Sequence, residues 1–351
     1  MRRIIGSIIY RIVRYTMLRV LRVRAAFNKE CFDLEAIITI GDRYLSLIDK
    51  YLGAVVFQFK SPAKKTVKLH HLTFSSPLIA SSFKGDIPII KLWLKMGLGG
   101  AIFKTILLEP RSGNSKPRIQ EIKLNGETGL INALGLPGPG IHKLVSEINQ
   151  SELILKGKPL GISIGGHNSK EYLSIFEILE SHFKNKENLF YELNISCPNV
   201  DKGQDLLNNP TLLQSIVKTM RQRTDRVIGV KCSPDQTNES LIQLVKALYD
   251  LPGLYINCGN TSYRTCDQVN LKNGDLSRGG GGLSGPFLFE RTLEMVRLLA
   301  PYGIPIMATG GISKGRQIRE LQKEGAILFG MATQLIQDPY QIPKLNQSLS
   351  N

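Results

Sequence analysis

The stretch NISCPN, residues 194–199, sets two carboxamides, Asn194 and Asn199, around a thiol, Cys197, and a proline. A carboxamide offers a donor and an acceptor side by side, which suits a small planar ligand with amide-like edges better than a simple carboxylate ligand. Asn132 in LINALGLPGPG and Asn260 in CGNTS, beside Thr261, add the same chemistry, and amides recurring at strand ends point to a bound heterocycle. For any one of them the plainer role is a turn or a cap. Cys197 follows a strand-like run and can serve as proton acceptor or nucleophile where its thiolate is favoured; the plainer role is a small buried apolar side chain. No histidine accompanies it, which argues against a Cys-His hydrolase. Lys104 and Lys231 close two other apolar runs. An ammonium entering a cavity needs an anion or an electron-rich group; a Schiff-base aldolase is one use for it, and a surface lysine is the alternative.

Glycine supplies a second kind of site. RGGGGLSGPF (278–287) contains Gly285, ATGGIS (308–313) contains Gly310 and Gly311, and GMAT (330–333) ends in Ala332 and Thr333. Backbone N–H groups in such loops can cradle a phosphate, and the missing Cβ allows close approach.

These groups need a scaffold that gathers them. Eight apolar runs alternate with helix-like segments: 77–81, 100–104, 159–165, 189–196, 227–232, 254–258, 304–310 and 326–331. That alternation predicts an α/β fold, a closed (β/α)8 TIM barrel over residues 68–351, rather than an open doubly wound sheet, which would show an early GxGxxG turn. Strand carboxyl ends form the mouth of such a barrel, and here they read Ser81, Ser82, Lys104, Thr105, Ser163, Asn194, Cys197, Lys231, Asn257, Asn260, Gly310, Gly311, Ala332 and Thr333.

Residues 1–67 read as an amphipathic helical extension, with 61–68 as a linker. Ile5, Ile8, Ile9, Ile12, Val13 and Val20 share one helical face, with Arg3, Arg11, Arg14 and Arg22 opposite, and a second amphipathic segment runs from Leu34 to Phe59. This fits a helix lying on a membrane surface; an ordinary packed helix and an arginine-rich transit peptide, which would make the protein mitochondrial, are the alternatives. No apolar run is long enough to span a bilayer. The net charge of +16 gathers in residues 1–24, which hold seven arginines and no acid, so a nucleic-acid partner is not expected. With 42% hydrophobic and 21% charged residues the chain can bury a large core. Its five cysteines form no CxxC pair, which argues against a metal cluster or disulfide framework and fits a reducing compartment; His70 and His71 read as structural, and no metal site is expected. No pattern specifies an oligomer.

Several motifs together resemble the dihydroorotate dehydrogenase family: KTILLEPRSGNSKPR (104–118), LINALGLPGPG (130–140), NISCPN, GVKCSPD (229–235), NCGNTSYR (257–264), GGLSGPFL (281–288) and ATGGISKG (308–315), in one order across residues 68–340. The resemblance implies a barrel that binds FMN and oxidises dihydroorotate to orotate in pyrimidine biosynthesis. It implies FMN contacts from Ser81, Lys104, Thr105, Ser163, Asn194, Lys231, Asn257, Gly285, Gly310, Gly311, Ala332 and Thr333. Substrate would meet Lys104, Asn132, Asn194, Asn199, Asn260 and Thr261. Cys197 would take the C5 proton while C6 gives a hydride to flavin N5, and Lys231 would stabilise charge on the reduced flavin.

Two branches of the family are mixed here. A cysteine base belongs with the soluble branch, which uses fumarate, or NAD through an iron-sulfur partner; a helical extension belongs with the branch that has a serine base and uses membrane quinone. Ser163 stands where many members have asparagine, and Lys84 is a candidate counterpart of a first-loop lysine in the quinone branch. The expectation is a quinone-reducing enzyme peripheral to the cytoplasmic face of a membrane. The alternatives are a cytoplasmic enzyme using fumarate or another acceptor, a related flavin enzyme acting on dihydropyrimidine or dihydrouridine, and a membrane- or nucleic-acid-binding barrel without flavin.

Overall fold

The computed structural model describes residues 1–61, 65–151, 153, 158–195 and 206–350. Two long helices come first, α1 (Arg2–Phe27) and α2 (Leu34–Val56), followed by a short hairpin, β1 (Val67–Leu69) and β2 (Leu72–Phe74). Alternating units follow: β3 (Leu78–Ala80), α3 (Ile87–Lys95), β4 (Gly100–Ile106), β5 (Ile119–Leu124), β6 (Glu127–Asn132), α4 (Ile141–Gln150), β7 (Leu160–Ile164), α5 (Ser169–Phe183), β8 (Leu189–Asn194) and α6 (Pro210–Arg221). The chain continues through β9 (Ile228–Cys232), α7 (Asn238–Leu248), β10 (Leu254–Cys258), β11 (Ser262–Thr265), β12 (Gly280–Ser284), α8 (Phe289–Leu299), β13 (Ile306–Thr309), α9 (Gly315–Lys323), β14 (Ala326–Met331), α10 (Thr333–Gln337) and α11 (Gln341–Ser350).

The eight predicted apolar runs are the eight barrel strands. β3, β4, β7, β8, β9, β10, β13 and β14 pair in parallel in that order, and β14 closes on β3. Strands covered on both faces are apolar throughout, as in β7 and β9, where every residue is buried. Side-chain alternation sorts each strand into two cores. Outward residues such as Ile162, Leu193, Val230 and Ile256 join the helices in the main core. Inward residues Ile79, Ile102, Phe190, Val227, Tyr255, Met307 and Leu328 meet Leu69, Leu72 and Phe74 of the β1–β2 hairpin, which closes the amino end of the barrel. His70 sits in the hairpin turn at φ 53°, and its Nε2 lies 2.7 Å from the carbonyl of Leu254. The outer helices begin at polar caps: Asn168, Asn209 and Thr237 accept from the backbone N–H groups of Glu171, Leu212 and Ser240. Each such cap contributes about 0.5–2 kcal/mol.

Three features depart from the sequence reading. Val67, placed in the extension, is the first residue of the hairpin that closes the barrel, and Ser61 to Lys68 is a linker only in part. A four-stranded antiparallel sheet, β11–β12–β6–β5, is added at the mouth from the segments after β4 and β10. The arginines of α1, read as a face for a membrane surface, are not all free for one: Arg14 turns to the barrel and pairs with Glu121 of β5.

The apolar stripe of α1 is left open instead, with Ile5, Ile8, Ile9, Ile12, Val13 and Val20 each between 48% and 60% exposed, and Ile5, Ile9 and Val13 on the groove toward α2. What holds α1 is mostly polar: Ser7 Oγ donates to Asp338 at 2.5 Å and Tyr10 donates to the carbonyl of Ile336 at 2.9 Å. The second helix is tied at its start, middle and end. Asp33 accepts from the backbone N–H groups of Arg118 and Ile119, and Glu35 takes both arms of the Arg118 guanidinium at 2.7 and 2.8 Å. Asp42 pairs with Lys84, and Asp49 with Lys95 at 2.6 Å. Arg118 holds the Glu35 carboxyl below its ordinary range through these hydrogen bonds. Leu18, Leu34 and Ile37 complete the seam against Ile119 and Leu130. Among the described residues no helix is long and apolar enough to cross a membrane.

Candidate active site

The cavity at the carboxyl end of the barrel collects most of the residues singled out from the sequence. Ser81, Lys104, Thr105, Asn132, Asn194, Lys231, Asn260, Thr261, Gly285, Gly310, Gly311, Ala332 and Thr333 line it. A register shift in β4 between Phe103 and Ile106 lets consecutive residues Lys104 and Thr105 both reach the cavity. Asn194 and Lys231 are direct neighbours across β8 and β9, and Asn257 is the neighbour of Lys231 on β10. Asn132 ends β6 of the added sheet and donates to the carbonyl of Gly282 at 3.2 Å, so that sheet, not a barrel strand, carries it.

A hydrogen-bond chain fixes the amides. Thr105 Oγ1 lies 2.9 Å from Ser163 Oγ and accepts from Asn194 Nδ2 at 2.9 Å, while Asn260 Nδ2 lies 3.5 Å from Asn194 Oδ1. Ser163 and Asn257 do not line the cavity. Both are fully buried, Ser163 backing Thr105 and Asn257 donating to Glu192 at 2.8 Å. Cys197 and Asn199 lie outside the described residues. Cys232 and Cys258 belong to the outer core, where burial pushes the Cys232 thiol up to about 12 and the Cys258 thiol well above its ordinary range. Their strand parity separates them from the mouth.

Lys104 is a strongly perturbed cation. Burial first, then the nearby Arg118 and Lys84 cations, push its ammonium down to about 8. Lys84 is committed to Asp42 of α2, and its carbonyl accepts from the Lys104 backbone N–H at 2.8 Å. The first-loop lysine therefore bridges the extension and the strand that carries Lys104.

The opposite wall is glycine. Gly311 has φ 72°, and a Cβ there would lie 2.4 Å from the backbone nitrogen of Phe289; Gly285 has φ 123°, and its Cβ would lie 2.8 Å from the Cα of Gly129. Both conformations favour glycine, and both keep side chains out of the space between β12, β13 and β14. Thr333 donates to Ser284 at 2.9 Å on the same wall. Ser81 Oγ and Thr309 Oγ1 are buried without a hydrogen-bond partner among the described residues, and both residues line the cavity. Buried hydroxyls in that condition suit a polar ligand against them. Ser82, Ser284, Thr309 and Gln334 line the site without having been assigned a role from sequence. Among the described residues no cluster of three or more potential metal ligands occurs.

A parallel eight-stranded barrel with amides, two lysines and a glycine wall gathered at its carboxyl end places the protein in the TIM-barrel class, with its polar cavity where enzymes of that fold carry their active sites. The family model for dihydroorotate dehydrogenase matches residues 64–351, and the chain belongs to that family. It is an oxidoreductase acting on dihydroorotate in pyrimidine biosynthesis. Among its relatives, the catalytic subunit of dihydroorotate dehydrogenase B (NAD(+)) from Pyrococcus furiosus is 30% identical over 271 residues, 76% of this chain and 86% of the relative. A putative dihydroorotate dehydrogenase A (fumarate) from Aquifex aeolicus is 27% identical over 292 residues, 82% of this chain and 92% of the relative. The crystal structure of the Eimeria tenella enzyme in complex with ferulenol has the same fold at TM-score 0.76 and 19% identity, covering 90% of each chain.

Proposed function

We propose that the protein oxidises dihydroorotate with bound FMN and passes the electrons to an apolar acceptor of the quinone class, at the cytoplasmic face of a membrane. The observation that carries this reading is a cavity of about 840 Å³ between α1 and α2, lined by Ile5, Ile9, Val13, Ile37, Ile48, Leu52 and Val55 among others. It adjoins the barrel mouth: Phe83 and Gln334 line the mouth, and the next residues in the chain, Lys84, Leu335 and Ile336, line the groove. The exposed apolar stripe of α1, flanked by Arg11, Arg19 and Arg22, and the exposed Leu47, Tyr51 and Val55 of α2 support seating on an anionic lipid surface.

FMN, when bound, supplies the acceptor for the hydride equivalent from the substrate. Ser81, Thr105 and Thr309 would hold it from the strand ends, and Gly285, Gly310, Gly311, Ala332 and Thr333 would surround its phosphate. Lys104 would pair with the substrate carboxylate, and Asn132, Asn194, Asn260 and Asn199 would fix the ring through donor–acceptor pairs. Cys197 would accept the C5 proton, and Lys231 would hold positive charge where negative charge develops. Ser163 and Asn257 would act through Thr105 and Glu192 rather than by touching the ligand.

The names of the sequence relatives favour a second reading, in which NAD(+) or fumarate is the acceptor. An acceptor screen separates the two. With dihydroorotate as donor and anionic vesicles present, a short-chain quinone should be reduced at least ten times faster than fumarate, NAD(+) or free dye; equal or faster reduction of fumarate or NAD(+) would favour the soluble reading.

A further inference from the structure

Beneath the amides of the mouth lies a polar group that the proposed chemistry uses only as the partner of Asn257. Glu192 is fully buried, yet it stands two residues before Asn194 on β8 and so projects into the barrel, not out to the helices. Three donors surround it: Ser82 Oγ at 3.1 Å, the Tyr255 hydroxyl at 3.0 Å and Asn257 Nδ2 at 2.8 Å. Room for the tyrosine is made by Gly229, which pairs with Glu192 on one side and Tyr255 on the other; a Cβ at Gly229 would lie 2.1 Å from the Tyr255 ring. Immediately below, the interior is apolar, with Phe190, Val227 and Met307. A carboxylate taken this far from water is costly unless donors and a counter-charge compensate it.

The counter-charge is within one hydroxyl. Ser82, whose hydroxyl donates a hydrogen bond to Glu192, accepts one from Lys231 Nζ at 3.1 Å, and both Ser82 and Lys231 line the mouth cavity. Ammonium, hydroxyl and carboxylate thus form a relay from the cavity wall to the barrel interior. We propose that Glu192 is a positioning residue: the buried counter-anion that, through Ser82, keeps Lys231 protonated and aimed at the flavin-binding cavity. Its bearing on catalysis rests on the flavin reading above, whereas its effect on Lys231 belongs to the protein alone.

The other titratable groups near the relay come from three strands. Tyr255 of β10 is pushed well above its ordinary range by burial and by Glu192, so it stays a donor. Cys232 of β9, behind the wall, is pushed up to about 12 by burial and Glu192. Lys104 of β4 shares the cavity and is lowered to about 8. A carboxylate beside Lys231 favours its charged form, and loss of that carboxylate favours the neutral amine.

The test is competitive acetylation of the full-length protein with trace acetic anhydride across a pH series, read at Lys231 by peptide mass spectrometry, with and without FMN. Glu192→Gln should lower the pH midpoint of Lys231 labelling by about one unit or more, a tenfold or greater loss of proton affinity. Ser82→Ala, which breaks the relay but leaves Tyr255 and Asn257 on the carboxylate, should shift it the same way by less and decides the matter if Glu192→Gln does not fold. In the FMN-loaded protein the alkaline break in midpoint potential against pH should move down in parallel. A Lys231 midpoint unchanged in the variants that fold overturns the proposal. Failure of the wild-type protein to take up FMN would sink the flavin reading separately, because the labelling needs no flavin.

Discussion

The barrel mouth and the groove between α1 and α2 share a wall but are built on different principles. The mouth encloses about 160 Å³ before opening to solvent, and its polar groups stand on adjacent strands whose ladders set their spacing. The groove holds about 840 Å³, is lined mostly by aliphatic and aromatic side chains with Arg2, Arg14, Asp42 and Lys84 among them, and is kept in place by polar tethers such as Glu35–Arg118, Asp42–Lys84 and Ser7–Asp338. A strand-borne site tolerates almost no displacement, because one residue of slip turns every side chain to the other face. An apolar groove between helices needs only the right width and greasiness. Changes in the mouth should therefore abolish chemistry, whereas changes in the groove should tune which acceptor is used.

That contrast can be broken in several places. Cys197→Ala should lower dihydroorotate oxidation by roughly 10²–10⁴-fold, the scale of a lost general base, with FMN still bound; stopped-flow bleaching of the flavin measures it, and near-normal bleaching removes Cys197 from the mechanism. Gly311→Ala forces a Cβ against Phe289 at a positive φ. It should cost about 1–3 kcal/mol in stability and weaken FMN binding more than tenfold, as read by melting and by fluorescence of released flavin. In the groove, Val13→Trp or Leu52→Trp should raise KM for a quinone analogue about tenfold, on the scale of a filled apolar pocket, while dye-linked turnover stays within twofold. Equal losses with both acceptors would mean that the groove and the mouth are one functional unit.

Two smaller effects sharpen the boundary. Above about pH 8 Lys104 loses its charge in the free enzyme, so kcat/KM for dihydroorotate should fall there while kcat holds. Since the Arg118 cation contributes to that lowering, Arg118→Met should move the alkaline limb to higher pH, and an unmoved limb would assign it to another group. Arg14→Gln breaks an ion pair with Glu121 that is largely shielded from solvent and should cost about 1–3 kcal/mol, a drop in Tm with turnover unchanged.

How far the sequence foretold these regions follows the same division. The barrel strands were legible because strands covered on both faces must be continuous apolar runs, and most mouth residues followed from their places at the ends of those runs. Parity carried more than was read from it: Asn194 pointing into the barrel entails that Glu192 does too. The added sheet escaped because β12, with Gly280, Gly281 and Gly282, has the composition of a loop and becomes a strand only between β6 and β11. Arg14 lies opposite the apolar stripe as its angle on the helix requires, but nothing in the sequence shows that β5 would bring Glu121 beneath it. Cys197 and Asn199, the residues with which the sequence argument began, fall outside the described residues, so the base remains a proposal tested by Cys197→Ala.

The hairpin of β1 and β2 has a kinetic corollary. Leu69, Leu72 and Phe74 stop the far end of the barrel, so among the described residues polar traffic goes by the mouth. Orotate must leave by the route its precursor used, so each turnover ends with a vacated threshold before the next begins. Added orotate should accordingly compete with dihydroorotate for entry, whichever oxidant takes the electrons.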